Sequence, residues 1–287
     1  MVEVRMIYTI KSGELTVSVD DLGAEIVSVK YKGAERSWQN TDGSWSGHAP
    51  VLFPVCGNFG VVIDGVKYDM PMHGFARNCK FECINLSESS ICLRLLSDEY
   101  TKKIYPYEFV LLLTYTVKNN EILITYRVEN REKRELYFSL GGHDSFALSE
   151  NLCRYKLIFP RKEHFVTMLH DGNGRLTGEI KDFGTGREFV LPEEFLDGKT
   201  LIFYDIKSDN VCLCDVNGRR LVESAFPKFN NLLLWRPRGA AMICVEPWLN
   251  LPDGVSEFSD EFAEKCGVIA VGVNDGVEIV RYVKYFE

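Results

Sequence analysis

Short runs in which apolar and polar residues alternate dominate this chain. In residues 15–20, the side chains of Leu15, Val17 and Val19 alternate with Thr, Ser and Asp. The run at 122–129 repeats the same pattern. Because successive side chains of a strand point to opposite faces, a period of two predicts strands with one buried face. This pattern recurs along the chain and constrains the fold more than any other feature.

Pairs of residues that favour tight turns separate these runs. Asp-Gly and Asn-Gly tolerate positive φ angles, and they therefore fit two-residue antiparallel hairpins. The turn pairs are Asp64-Gly65, Asn119-Asn120, Asn217-Gly218 and Asp275-Gly276. Strands are predicted at residues 15–20, 61–68, 80–86, 91–96, 108–117, 122–129, 135–140, 155–159, 201–204, 211–215, 231–235, 241–246, 268–273 and 277–285.

Helical patterns are weak by comparison. The best candidate is a short helix at 259–267 with Gly267 as its stop, and a single turn is predicted at 99–103, before Pro106. No shift in composition and no repeat divides the chain. We therefore expect one all-β domain over residues 1–287, a large antiparallel β-sandwich with very little helix.

Composition excludes several classes of partner. The net charge of −8 and the pI of about 5.3 argue against nucleic acid, which requires a basic surface. No run approaches the roughly 18 apolar residues that span a bilayer, so we expect no membrane partner. An odd count of nine cysteines, without the pattern of a secretion signal, favours reduced thiols and a cytoplasmic protein. Neither the pair Cys79 and Cys83 nor the pair Cys212 and Cys214 has the spacing of a zinc site, so no metal is expected.

Three short stretches combine ionisable residues with Gly or Pro near the ends of predicted strands. They read Met-His-Gly-Phe-Ala-Arg at 72–77, Gly-Gly-His-Asp-Ser-Phe at 141–146 and Val-Glu-Pro-Trp at 245–248. An imidazole titrates near neutral pH, and a carboxylate can act as a base beside it. The two groups in one cleft would suit proton transfer on a small neutral substrate.

These stretches, in this order, resemble the aldose 1-epimerase family, and most of all the LacX-type branch of the galactose-mutarotase-like proteins. The resemblance also includes Pro-Val-Leu-Phe-Pro-Val-Cys-Gly at 50–57 and Tyr-Pro-Tyr-Glu-Phe at 105–109. It extends from about residue 10 to about residue 285. The fold that it implies is a twisted β-supersandwich, in agreement with the alternating pattern.

The resemblance also implies a mechanism and a set of site residues. Glu246 would remove the proton of the anomeric hydroxyl while His143 protonates the ring oxygen, so that the sugar ring opens, rotates and closes as the other anomer. Each positioned acid or base contributes on the order of 10²–10⁴ in rate. His73 and Arg77 would contact sugar oxygens, and Trp248 would form a wall of the pocket. The reaction requires no cofactor and no metal.

Two positions depart from the family pattern. Asp144 stands where the branch usually has Pro, and a carboxylate beside His143 is predicted to raise the pKa of that histidine. Asn58 stands in a loop where many relatives carry Arg. Both are treated as candidate substrate-binding residues. The other histidines, His48, His164 and His170, are interpreted as structural or surface residues.

Alternative functions remain open on the sequence alone. A hexose-6-phosphate 1-epimerase would share His-Gly-Phe-Ala-Arg-Asn at 73–78, but it needs a cluster of cations for the phosphate. A non-catalytic sugar-binding or regulatory protein on the same fold is the second alternative, because fold alone does not establish activity. The sequence leaves the sugar open, as well as the choice between monomer and homodimer.

Overall fold

Antiparallel strands make up most of the structure, a computed structural model that describes residues 5–149, 151–254 and 260–287. The structure is 52% strand and 6% helix, which confirms the prediction of an all-β fold with very little helix. None of the helices in the described ranges is long and apolar enough to cross a membrane.

The strands are numbered in chain order. They are β1 (Ile7–Ser12), β2 (Leu15–Asp20), β3 (Ile26–Tyr31), β4 (Ala34–Glu35), β5 (Val61–Ile63), β6 (Val66–Tyr68), β7 (Glu82–Leu86), β8 (Ser90–Leu96), β9 (Phe109–Lys118), β10 (Glu121–Asn130), β11 (Leu136–Phe138), β12 (Asp144–Ala147), β13 (Tyr155–His170), β14 (Leu176–Val190), β15 (Leu201–Phe203), β16 (Asn210–Asp215), β17 (Arg220–Ala225), β18 (Asn231–Trp235), β19 (Met242–Trp248), β20 (Ile269–Val271) and β21 (Gly276–Tyr285). The α-helices of the described residues are α1 (Thr101–Ile104) and α2 (Glu193–Leu196). Single turns of 3₁₀ helix lie at Ala76–Asn78, Leu152–Arg154 and Phe262–Glu264.

One large sheet organises the described residues. It has thirteen strands, of which twelve follow the order β12-β19-β18-β15-β13-β16-β17-β21-β10-β9-β8-β7. The thirteenth, β14, pairs with β13 as a side branch. Strands β1 to β4 form a second sheet, and the pairs β5-β6 and β11-β20 form two-stranded ribbons. Because this order brings β19 beside β12 and β18, residues that are about a hundred positions apart in sequence become neighbours at one end of the large sheet.

The predicted alternation matches the observed burial. On β10, the side chains of Ile122, Ile124, Tyr126 and Val128 are buried, and the residues between them are partly exposed. They join a hydrophobic core that runs from Ile10 to Tyr285. Full burial of a large apolar side chain contributes roughly 1.5–3 kcal/mol, so this shared core holds the sheets together.

The structure differs from the sequence prediction at several elements. Strands β1, β3, β4, β12, β14 and β17 lie outside the predicted ranges. Strand β14 was hard to predict because it pairs only with β13, is mostly exposed and contains three glycines, so no buried face marks it. The helix predicted at 259–267 is wrong over 260–267, where a single 3₁₀ turn at Phe262–Glu264 stands in its place. Ser259 lies outside the described residues.

A left-handed turn at His73 and Gly74 ties two loops together. The φ angles are +67° at His73 and +73° at Gly74, and Gly74 forms a bridge with Phe53. A Cβ atom on Gly74 would lie 2.0 Å from the carbonyl oxygen of Phe53. Backbone atoms, unlike a flexible side chain, cannot move aside for this Cβ atom. The turn therefore requires glycine for two reasons, the positive φ angle and the close approach to the backbone of Phe53.

We expect Gly74→Ala to lower the free energy of unfolding by more than about 3 kcal/mol, because the substitution adds a clash with backbone to the left-handed strain. Gly65→Ala is the matched control. Gly65 has a similar φ of +75°, but no atom lies within 4 Å of the point that a Cβ atom would occupy there. In Gly65→Ala, the free energy of unfolding should therefore fall by only about 1–2 kcal/mol, the cost of a left-handed conformation in a residue with a side chain. Denaturant unfolding of both variants measures the difference. Equal losses would contradict the importance of the close approach.

Candidate active site

A cavity of about 330 Å³ lies over one face of the large sheet. Its floor crosses three neighbouring strands, because Ile202 on β15 is opposite Leu233 on β18, and Leu233 is opposite Glu246 on β19. Residues that are directly opposite in a sheet share a face, so the register alone brings Glu246 to the cavity floor. Trp235 and Trp248 lie on the same face of these strands and also line the cavity.

Loops bring the other predicted residues to the same cavity. Its lining includes six of the seven candidates, namely Asn58, His73, Arg77, His143, Glu246 and Trp248. A volume of this size is at the lower end of the range for small-molecule sites, which is roughly 300–1,000 Å³. The seventh candidate, Asp144, is absent from the lining among the described residues.

His143 and Glu246 form the centre of the site. The Nε2 atom of His143 lies 3.3 Å from the Oε2 atom of Glu246. His143 is 7% exposed and Glu246 is 2% exposed. The pair is therefore within proton-transfer reach and almost fully shielded from bulk solvent.

Burial controls the protonation of this pair. Burial lowers the pKa of His143 to about 3, and the nearby positive charge of Arg77 acts in the same direction. The backbone of His143 partly offsets this effect, although Nδ1 has no hydrogen-bond partner of normal geometry within the described ranges. Burial likewise raises the pKa of Glu246 well above its usual value, which the indole of Trp248 partly offsets. Each group resists ionisation, so burial favours the uncharged form of the pair, which carries one exchangeable proton.

Asp144 faces away from the cavity, which corrects two expectations. It pairs with Val245 on β19, so its side chain lies on the core face of the sheet, opposite to Glu246. Both carboxylate oxygens of Asp144 accept hydrogen bonds from the guanidinium of Arg281, whose Nε also donates to the hydroxyl of Tyr126 at 2.8 Å. The expectation that Asp144 binds substrate is therefore not supported by its position. The expectation that it raises the pKa of His143 is wrong, because the carboxylate is paired with Arg281 and burial lowers the pKa of His143.

The two glycines before His143 are explained by close packing. A Cβ atom on Gly141 would lie 2.8 Å from the Sγ of Cys56 and 2.9 Å from the ring of Trp248. On Gly142, it would lie 2.7 Å from the guanidinium carbon of Arg281. Glycine at both positions lets the backbone pass between these groups, and this path places His143 beside Glu246.

His73 is held as a hydrogen-bond donor toward the cavity. The backbone N–H of Gly57 donates to the ring Nδ1 of His73 at 3.0 Å. The backbone N–H of His73 donates in turn to the carbonyl of Gly57 at 2.9 Å. Since Nδ1 accepts, the proton of the neutral ring lies on Nε2. Burial lowers the pKa of His73 well below its usual value, and the charges of His143 and Arg77 add to this effect. A neutral N–H donor suits a sugar oxygen.

Arg77 and Asn58 differ in how many side-chain hydrogen-bond donors they have left for a ligand. Arg77 is half-buried, donates to the carbonyl of Met72 at 3.1 Å and forms no salt bridge within the described ranges. Its guanidinium carries five N–H groups, so donors remain for a ligand. The side-chain amide of Asn58 donates to the carbonyl of Asn173 at 2.9 Å, so this donor holds a neighbouring loop in place.

Two tryptophans of the cavity were missed by the sequence analysis. The ring of Trp45 stacks on His143, with centroids 5.2 Å apart and an interplanar angle of 28°. Trp235 meets the same imidazole edge-on at 5.8 Å. Trp45 is an isolated aromatic residue in the polar segment 42–47, and an aromatic side chain in a Gly- and Ser-rich loop is a usable signal of binding. Trp235 carries no such signal, because it ends an ordinary strand.

His170, which the sequence analysis interpreted as a structural or surface residue, also lines the cavity. Its Nδ1 lies 2.8 Å from the carbonyl of Asp171, and the N–H of Thr200 donates to its Nε2 at 3.4 Å. Both ring nitrogens are thus bonded to backbone, which agrees with the predicted structural role. His164 pairs with Asp182 on the surface, outside the cavity.

A third potential metal ligand, Cys244, lies beside His143 and Glu246. The ligand atoms of His143, Cys244 and Glu246 all lie within 4.8 Å of one another. Burial raises the pKa of the Cys244 thiol well above its usual value, and the charge of Glu246 adds to this effect. Because metals bind the thiolate, this environment disfavours Cys244 as a ligand.

Comparisons with known proteins agree with the geometry. The sequence matches the family described as aldose 1-epimerase over residues 6–262. The chain belongs to the aldose 1-epimerase family. This finding confirms the resemblance, and family members act on sugars. Among curated relatives, the chromosomal LacX protein of Lactococcus lactis subsp. lactis is 27% identical over 277 residues, which cover 88% of this chain and 90% of LacX.

Solved structures show the same fold. A galactose mutarotase related enzyme from Lactobacillus acidophilus superposes with a TM-score of 0.90 and 26% identity, covering 98% of each chain. A galactose mutarotase-like protein from Lactobacillus casei ATCC 334 gives a TM-score of 0.89 and 23% identity, covering 98% of this chain and all of that one. The predicted galactose-mutarotase-like supersandwich is therefore confirmed.

The buried ion pair of Asp144 and Arg281 behind the cavity should be important for stability. Asp144→Asn keeps the shape of the side chain but leaves the charge of Arg281 buried without a partner. We expect a loss of about 3–5 kcal/mol in the free energy of unfolding, as for other broken buried pairs. Asp182→Asn, which removes an exposed pair with His164, is the control and should change stability little. Equal stabilities of the two variants in urea unfolding would rule out the proposed role of the Asp144 pair.

Proposed function

We propose that this protein is an aldose 1-epimerase that interconverts the α and β anomers of a free aldose. The observation that carries the proposal is the shielded contact of 3.3 Å between His143 and Glu246 on the floor of a sugar-sized cavity. Membership of the aldose 1-epimerase family supports the same reaction class.

The geometry suits a hemiacetal. The anomeric hydroxyl and the ring oxygen are bonded to the same carbon, so an adjacent base and acid can reach both oxygens from one side. The shared proton first moves from Glu246 to His143, and Glu246 then accepts the hydroxyl proton while His143 donates its proton to the ring oxygen. The C1–O5 bond breaks, the new carbonyl group rotates about the C1–C2 bond, and ring closure reverses the proton transfers. The pair begins and ends with one proton, so each turnover restores the site.

The remaining lining favours a neutral sugar. Indole rings of Trp45, Trp235 and Trp248 present apolar surface to the C–H faces of a pyranose, and the Nε2–H of His73 and the guanidinium of Arg77 donate to hydroxyls. Arg77 is the only lysine or arginine in this lining among the described residues. A phosphorylated sugar needs more than one cation, so the hexose-6-phosphate alternative is weaker.

The main test measures the rate of anomer exchange by saturation-transfer NMR, with a panel of free and 6-phosphorylated aldoses. Glu246→Gln removes the base and His143→Asn removes the acid, and each should slow the exchange by about 10²-fold or more. His73→Asn should raise KM more than it lowers kcat, because its role is contact. His164→Asn, which changes a surface histidine, is the matched control. An unchanged rate in Glu246→Gln would disprove the assigned base. Sugar binding without any acceleration by the wild-type protein would favour the non-catalytic alternative.

The pH dependence of the exchange tests the shared proton. Below the lowered pKa of His143, about 3, both groups are protonated and Glu246 cannot accept. Above the raised pKa of Glu246, the pair has no proton left to donate. Between these limits the proton count is constant, so kcat should not fall as the pH is lowered from about 7 to about 5. A titration limb near pH 6.5, typical of a solvated histidine, would contradict the shared-proton arrangement.

A further inference from the structure

Two cysteines outside the sugar cavity lie in an arrangement that goes beyond epimerase chemistry. Cys212 and Cys214 are on β16, two residues apart, and their sulfur atoms are 3.5 Å from each other. We propose that these residues form a thiol-modification site in which a hydroperoxide oxidises Cys212 and Cys214 then closes a reversible disulfide.

The local strand geometry accounts for the short distance between the sulfur atoms. Residues two apart on a strand point to the same face, with Cα atoms about 6.6 Å apart. The pairing of β16 with β17 is irregular at this point, since Leu213 pairs with Val222 but Cys214 pairs with Arg220. An irregularity of this kind bends a strand and redirects its side chains. The two thiols therefore lean toward each other.

Neighbouring groups make the two thiols chemically unequal. The S–H group of Cys214 donates to the sulfur of Cys212, and Nε of Arg220 donates to the same sulfur at 3.4 Å. These contacts lower the pKa of Cys212 to about 7, although burial and the carboxylate of Glu223 oppose them. The pKa of Cys214 is raised by its role as the donor and by burial, against the charges of Arg220 and Lys156. Cys212 is thus the attacking thiolate and Cys214 the resolving thiol.

A separate cavity gives small molecules access to this pair. Its volume is about 430 Å³, and both cysteines and Arg220 line it. It shares no lining residue with the sugar cavity. The lining also includes Arg187 and Glu188 of β14, the long exposed strand. A small hydroperoxide can therefore reach Cys212 without entering the sugar site.

The chemistry balances with the hydroperoxide as the only co-reactant. The thiolate of Cys212 attacks the terminal oxygen, an S–O bond forms, the O–O bond breaks, and the peroxide leaves as an alcohol after it gains a proton. Cys212 is then a sulfenic acid. The sulfur of Cys214 attacks it, the S–S bond forms, the S–O bond breaks, and the oxygen leaves as water with the thiol proton. Two thiols and one hydroperoxide thus give one disulfide, one alcohol and one water.

The product should be easy to reduce. Disulfides normally join Cα atoms about 4.4–6.8 Å apart, and a pair two residues apart on a strand lies near the upper limit of this range. Strained disulfides have higher reduction potentials and are the labile ones. A dithiol reductant should therefore restore both thiols.

The first test uses the wild-type protein treated with hydrogen peroxide at pH 7, then alkylated, digested with trypsin and analysed by mass spectrometry. Cleavage after Lys207 and Arg219 yields one peptide, 208–219, that contains both cysteines. We expect this peptide to lose two hydrogen atoms and to regain them with dithiothreitol. Cys153 and Cys266 are exposed free thiols and serve as internal controls, which should react more slowly. Oxidation of these two while peptide 208–219 stays reduced would overturn the proposal.

Variants separate the roles of the individual groups. In Cys214→Ser, Cys212 should accumulate as a sulfenic acid that dimedone traps, and Cys212→Ser should prevent oxidation of the peptide. Arg220→Gln should slow the oxidation of Cys212 about three- to tenfold, because it removes a group that stabilises the thiolate. Arg219→Gln is the matched control, since the neighbouring Arg219 pairs with Asp215 and should leave the rate unchanged. Equal effects of the two arginine substitutions, or a disulfide from Cys212 to a different cysteine, would refute the assignment.

Discussion

The buried ion pair of Asp144 and Arg281 is the interaction on which the site depends. It joins β12, at the end of the large sheet, to β21 within the sheet. Gly142 packs against the guanidinium, so the position of Arg281 sets the path of the chain into His143. The pairing of Asp144 with Val245 sets the register of β19 and thereby places Glu246 on the opposite face. The contacts of Asp144 on the core side of the sheet therefore position both His143 and Glu246 on the cavity side.

The same arrangement also controls charge. Arg281 compensates Asp144 locally, but the carboxylate still contributes to the raised pKa of Glu246 through the sheet. Above the sheet, Arg77 contributes to the lowered pKa of His143. Both effects act in the same direction as burial and keep the pair uncharged. Burying a neutral pair costs little free energy. In the proposed reaction, the pair becomes ionic only when a substrate supplies oxygens that accept and donate protons.

The sequence predicted the parts of this protein that depend on local pattern. Alternation predicted strands such as β10, and the motifs around His73, His143 and Glu246 predicted a shared cavity because they resemble one family. The direction of Asp144 could not be predicted, because it depends on which residue of β19 lies opposite. Trp45 was missed because its place beside His143 depends on a contact between loops that are distant in sequence. Strand β14 was missed because an exposed strand without a buried face leaves no periodic pattern.

The departure from the family at Asn58 has a physical consequence for substrate choice. An arginine there would add a second cation to a lining that contains Arg77 alone among the described residues. Asn58 instead uses its amide to hold the carbonyl of Asn173 and so fixes the loop that brings Gly174 to the cavity. Asn58 thus contributes a loop anchor and no charge. Since a buried charge is favourable only when the ligand carries the opposite one, a lining with Arg77 as its one described lysine or arginine agrees with the proposed preference for uncharged sugars.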